Sequence, residues 1–170
     1  MASRKPKVSA PATRDIALKS IYLRHSESFV ADDFDPTMPG QNIIGEYKLV
    51  DGGKLELKEA LSGDKPKQIK LHICRFTLNF QFTYLRKAAN EVDPEHLAKI
   101  ARVSAKYSVE YVFPGANAPE PEFLEELGKT TAVMHVWPYW REYCHASFMR
   151  MHFPPTLLPL LNVQAIPQKK

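Results

Sequence analysis

Apolar and polar residues alternate one by one along much of the chain, then recur at threes and fours after Pro121. A period of two sends successive side chains to opposite faces of a strand, whereas threes and fours gather them on one side of a helix. The clearest strand runs from Lys70 to Tyr84. Cys74, Phe76, Leu78, Phe80, Phe82 and Tyr84 share one face, and Thr77, Asn79, Gln81 and Thr83 share the other. Near its start Ile69, Leu71 and Ile73 are apolar on the second face too, so that end is either covered twice or offers an apolar surface. A second long strand runs from about Ile100 to Phe113. Ala101, Val103, Ala105, Tyr107, Val109, Tyr111 and Phe113 point one way, and Arg102, Ser104, Lys106, Ser108 and Glu110 the other, before Pro114-Gly115 ends it. At about 3.3 Å per residue these strands reach roughly 45–50 Å.

Weaker alternation precedes them. Asp15 to Phe29 carries Ile16, Leu18, Ile21, Leu23 and Phe29, with one slip between Leu18 and Ile21 that predicts a bulge. Ala31 to Gly45, rich in Asp, Pro and Gly, reads as a long crossing loop. Tyr47 to Leu61 is a strand pair, or one strand broken at Gly52-Gly53. Lys87 to Leu97, with Pro94 inside, is a break. Pro119 and Pro121 then precede Glu122, Glu125 and Glu126, acids suited to the positive end of a helix. Leu124, Leu127, Thr131, Met134, Trp137, Arg141, Cys144, Phe148 and Met151 give one amphipathic helix over Phe123 to Met151. Pro138 is expected to kink it and Pro154-Pro155 to stop it. Long strands with one polar face suit an antiparallel sheet backed by a helix. The fold class expected is α+β, a four-stranded antiparallel sheet packed by one long helix.

Composition adds bounds. A chain of 170 residues with 44% hydrophobic and 25% charged residues is expected to be one globular domain, here 15–166. Residues 1–14, basic and spotted with proline, form an N-terminal arm, and 167–170 a short tail. No apolar run has the length of a membrane span and no signal-peptide pattern opens the sequence, so a cytoplasmic location is expected. Cys74 and Cys144, far apart and without a CxxC, read as two buried thiols rather than a disulfide. The net charge is +4, spread among acids with an excess at the two ends.

Catalytic chemistry finds no footing. His145 and His152 stand two helical turns apart, too far to share an ion, and the other histidines lack ligand spacing, so no metal is expected. Cys144 and His145 are helix neighbours that face different ways. Phosphate loops, dinucleotide fingerprints and nucleophile elbows are missing from the sequence, so neither cofactor nor catalytic residue is assigned. Arg141-Glu142 inside a helix reads as an ion pair or as an anchor for a turn, and Trp137 and Trp140 as core or interface aromatics.

One stretch carries more. WPYWREYCHASFMRMHFPPTLLPLLN, from Trp137 to Asn162, resembles the SecB family of export chaperones. The shared features are Pro138-Tyr139 and Arg141-Glu142 in the helix, Phe153-Pro154 at its end, and a leucine–proline run closing on Asn162. Trp137 stands where the family has Phe, and Leu161 where it has Val. The resemblance implies dimers that sandwich their helices into a homotetramer. It also implies that unfolded polypeptides are held without ATP in grooves between the sheet, the crossing loop and the segment after the helix. Groove positions carried over are Ala101, Val103, Ala105 and Tyr107 on the fourth strand, with Phe153, Leu157, Leu158, Leu160 and Leu161 after the helix. Trp137, Trp140, Phe148 and Met151, more apolar surface than one sheet face covers, agree with assembly.

The resemblance implies docking to SecA through acidic residues on the outer sheet. His25, Phe29, Arg102 and Ser104 occupy those positions, Pro167 opposes a second helix, and the net charge is reversed, so SecA contact is expected to be weak. Divergent members of the family guard antitoxins, which makes an antitoxin the alternative client. A different class of reading, a nucleic-acid module using Arg4–Lys7, Arg75, Arg102 and Lys106, is disfavoured because the aromatic residues fall on the face opposite Arg102 and Lys106.

Overall fold

The computed structural model describes residues 16–38, 42–64, 68–86 and 98–161, with the backbone alone at 51–53. The basic arm, the Lys87–Leu97 break, Asn162 and the tail lie outside the described residues. Four strands come first: β1 (Ala17–Val30), β2 (Ile43–Ser62), β3 (Ile69–Arg86) and β4 (Ala98–Pro114). They form one antiparallel sheet in the order β1-β4-β3-β2. Two helices follow, α1 (Pro121–Lys129) and α2 (Thr131–Arg150).

The alternation read from β3 and β4 becomes the core. Cys74, Phe76, Leu78 and Phe80 on β3 and Val103, Val109 and Tyr111 on β4 are at most 2% exposed, facing the helices. The central pair keeps an unbroken register from Leu71↔Pro114 to Tyr84↔Ala101. The slip read in the first strand is a register shift between Leu18 and Ser20, and a second follows between Leu23 and His25. Those shifts bring Tyr22 opposite Ser108 and Phe29 opposite Arg102. The expectation that aromatics avoid the Arg102–Lys106 face is therefore corrected for these two residues. β2 is one strand, irregular between Leu49 and Lys54 where Gly52-Gly53 was expected to break it.

The sheet is packed by one long helix, α2, but the expected span of Phe123 to Met151 is corrected. The chain breaks at Thr130, whose φ of −115° and ψ of −77° end α1 and start α2, while α2 runs through Pro138. Pro138 and Met134, whose carbonyl loses the proline's amide partner, lie on the exposed side, where water can take the bond. Gly128 brings α1 close to the sheet: a Cβ there would stand 2.8 Å from the Phe76 ring. The break lets α1 and α2 lie differently on one sheet.

α2 ends in a left-handed cap. His152 has φ 58°, its amide donates to Met149 O (3.2 Å), and the Phe153 amide donates to Phe148 O (3.0 Å). This is the pattern of a Schellman motif, completed by the Phe148–Phe153 ring contact at 5.6 Å. Histidine pays a steric penalty at positive φ that glycine avoids. His152→Gly is expected to raise unfolding stability by about 0.5–1 kcal/mol, read by denaturant midpoint at fixed protein concentration.

Candidate functional site

Among the described residues of the acid-rich crossing loop Phe34 alone is buried, and it anchors the loop. Its ring stacks on Phe153 at 5.0 Å, Phe153 stacks on Tyr84 at 5.0 Å, and Phe148 closes the cluster 4.8 Å from Tyr84. The loop, the end of β3 and the segment after α2 thus meet through four rings. A lone phenylalanine among aspartates, ADDFDP, was the sequence signal for this contact.

After Phe153 the chain turns back along α2 as an extended strap, fixed by three side chains spaced one turn apart. Trp137 Nε1 donates to Pro159 O (3.0 Å), Arg141 Nε to Leu158 O (2.9 Å), and His145 Nδ1 to Thr156 O (3.3 Å). A carbonyl only accepts, so His145 carries its proton on Nδ1. Thr156 is further held by the Tyr84 hydroxyl at 2.7 Å. Arg141 is therefore an anchor of the strap, whereas Glu142 is exposed beside it. Pro138, Tyr139 and Pro154 are exposed as well.

This anchoring decides which leucines face outward. Leu158 is 3% exposed and packs into the core, while Leu157 and Leu160 are 79% and 81% exposed and Leu161 is half-buried. Next to the strap, Trp137 lies 5.8 Å from the ring of Tyr47, which is itself half-exposed on β2. Leu55, Leu57 and Leu61 continue the helix-facing side of β2 as exposed side chains. An apolar band therefore runs from the strap across Tyr47 and along β2. Ala101, Val103, Ala105 and Tyr107 do not border it. Their side chains face the helices and are buried in the core, with Tyr107 Oη donating to Tyr139 O (3.2 Å). The expected groove wall on β4 is corrected to a floor hidden within the subunit. Tyr47, Phe34, His145 and Thr156 join the site in its place.

The helix aromatics are likewise buried within one subunit, with Trp137 at 6% exposure and Trp140 and Phe148 at 0%. They supply no excess surface. The exposed apolar residues of α2 are Met134, Tyr139 and Met149, and on the helix side of β1 they are Leu18 and Leu23.

Chemistry other than binding has little to work with. Burial pushes the Cys74 thiol up to about 11 and the Cys144 thiol up to about 12, so neither is a nucleophile at neutral pH. Among the described residues no group of three His, Cys, Asp or Glu side chains can hold a metal. No described helix is long and apolar enough to cross a membrane. Among the described residues, the ring nitrogens of His72, 1% exposed, and Trp140 Nε1 find no hydrogen-bond partner.

The opposite face of the sheet holds one dense electrostatic cluster. Glu110 accepts from Arg75 Nη2 (2.6 Å) and Nε (2.8 Å), Lys19 Nζ (3.0 Å), Ser20 Oγ (3.2 Å) and Tyr22 Oη (3.2 Å). Burial acts to raise its carboxyl, but the Arg75 and Lys19 contacts outweigh that and hold it down at about 2.

This four-stranded antiparallel sheet, backed by a broken helix and a strap, is a fold that the chain shares with a solved structure. One structure that shares this fold is titled Mycobacterium tuberculosis Rv1957 SecB-like chaperone in complex with a ChAD peptide from Rv1956 HigA1 antitoxin. It matches with a TM-score of 0.59 and 18% identity, over 88% of this chain and 92% of that one. Neither the protein-family models nor the curated proteins give a match to the sequence.

Proposed function

We propose that this chain is a nucleotide-independent holding chaperone whose client is an aggregation-prone polypeptide of the antitoxin kind, rather than a carrier of export precursors. The observation that carries the reading is the pair Leu157 and Leu160, displayed at 79% and 81% exposure on a strap that is itself fixed. A soluble protein gains nothing by fixing two leucines outward unless something covers them. With Tyr47 and the exposed leucines of β2 they make an elongated apolar track. Such a track takes extended chain by side-chain burial without reading sequence closely.

The antitoxin reading is favoured over export by the likeness to a chaperone solved with an antitoxin peptide. The outer sheet agrees with it. His25, Phe29, Arg102 and Ser104 stand where SecA docking calls for acids, and Arg102 and His25 are drawn to Glu27 instead. Leu18 and Leu23 on β1, and Met134, Tyr139 and Met149 on α2, are exposed apolar residues that support a homotetramer of paired dimers. The nucleic-acid reading has Tyr22 and Phe29 on the right face, but the Tyr22 hydroxyl is tied to Glu110, which keeps that ring from stacking freely.

The test adds the purified chain, without nucleotide, to a slowly refolding client, an aggregation-prone antitoxin and the SecA tail. Suppressed aggregation at stoichiometric ratio, strongest for the antitoxin and with little SecA binding, is expected. Unaffected aggregation of both clients would remove the chaperone reading, and tight SecA binding would restore export.

A further inference from the structure

The strap has a direction as well as fixed points. Thr156 is held by Tyr84, and the carbonyl of Pro159 by Trp137, whose ring lies 6.0 Å from Phe80. The chain after α2 therefore runs back from the Tyr84 row of β3 to the Phe80 row, in the same direction as β2. Ahead of it, on the helix side of β2, stand Leu55 and Leu57, paired with Phe76 and Cys74 and 39% and 43% exposed. The described strap ends at half-buried Leu161, and the sequence continues Asn162-Val163-Gln164-Ala165-Ile166-Pro167. From Phe80 the row of Leu55 is four residues along β3 and that of Leu57 six. From Pro159, Val163 is four residues on and Ala165 six. Strand and extended chain both advance about 3.3 Å per residue, so the same course continued would bring Val163 level with Leu55 and Ala165 with Leu57. A period of two would set both on the side of Leu161 and turn Asn162 and Gln164 away.

We infer that Val163 and Ala165 seat on Leu55 and Leu57 as a continuation of the strap, making the segment a built-in competitor for the β2 half of the client track. The competition, though not the contact, rests on the holding reading above. Path and reach both favour this occupant: the strap already points at the two leucines, and the residue count matches their rows. Tethering favours it further. A segment that starts one residue after the fixed Leu161 meets the leucines at an effective concentration on the order of a millimolar, well above that of a client or a second copy at micromolar level. Pro167 and the polar Gln168, Lys169 and Lys170 end the apolar alternation just past Ile166. A client docks first on Leu157 and Leu160, which the segment leaves open, and then displaces it from β2. Its affinity is thereby scaled by the fraction of chains whose segment is lifted.

The test uses the full chain with leucine methyl groups labelled for NMR, and takes Leu18 and Leu23 on β1 as references. Val163→Asp with Ala165→Asp should shift the Leu55 and Leu57 signals and leave the references in place, because carboxylates lose water against leucine and the segment lifts. Gln164→Asp with Gln168→Asp, which adds the same charge on the other side of the segment, should leave all four in place. Client affinity should rise at least about threefold in the first variant, the gain when roughly two-thirds of the chains are closed, and by less than about 1.5-fold in the second. The methyl signals are read without a client, so they judge the contact even if the chain holds no client and the holding reading falls. Leu55 and Leu57 signals that ignore the first variant, or respond equally to both, would overturn the proposal. Signals that change with protein concentration would overturn it too, by making a second copy the occupant, and so would client affinity unchanged by the first variant.

Discussion

Glu110→Gln is expected to cost on the order of 2 kcal/mol of unfolding stability at pH 7, allowing for solvent on the open side of the cluster, and almost nothing near pH 2. The carboxylate collects Arg75, Lys19, Ser20 and Tyr22, and its side chain is 7% exposed. Its folded-state pKa is lowered from 4.5 to about 2, first against burial and then by the two cations. A depressed carboxyl stabilises the fold above its unfolded pKa, and the contribution drains away as pH falls from about 4.5 towards 2. The glutamine keeps the shape and gives up the charge. Urea titrations of both proteins at pH 7 and in acid, at one protein concentration, read the difference. A gap that is the same at both pH values would show packing, not charge, as the source.

The second large effect falls on client binding. Leu157→Asp together with Leu160→Asp is expected to weaken holding by roughly 2 kcal/mol, about thirtyfold in affinity. Both carboxylates would lose water beneath an apolar client and find no partner there. Because both positions are some four-fifths exposed, the fold should survive, which circular dichroism can check. Leu158→Asp should behave otherwise, since its side chain is 3% exposed and a buried charge there would unfold the strap. Wild-type holding by the double variant would move the client track elsewhere.

Much of this architecture was legible because period two survives unbroken in the central strands. Phe76 to Phe82 and Val103 to Tyr111 declare their buried face in sequence, and the sheet confirms it. Where the register shifts, as on β1, residue parity stops reporting the face, and Tyr22 and Phe29 were missed for that reason. The break at Thr130 left no trace, because threonine fits a helix tolerably and the conspicuous breaker, Pro138, sat where water could repair the bond. The β4 residues carried over to the groove were apolar and correctly paired, yet burial under a helix and burial under a client look alike in a sequence. The strap shows the same limit from the other side. Its leucines were legible as a group, but only the hydrogen bonds from Trp137, Arg141 and His145 say which of them turn out.

Those three bonds also act like the teeth of a rack. Each falls on a fixed carbonyl, and the helix sets their pitch, so the strap cannot creep along α2 by a single residue. A slip of one would turn Leu157 inward and Leu158 outward while stripping Thr156 of its link to Tyr84. An extra residue between Phe153 and Thr156 would therefore have to bulge locally. Length changes in the chain after α2 are thus absorbed on the near side of Thr156 or beyond Pro159, and the display of the two outward leucines stays in phase.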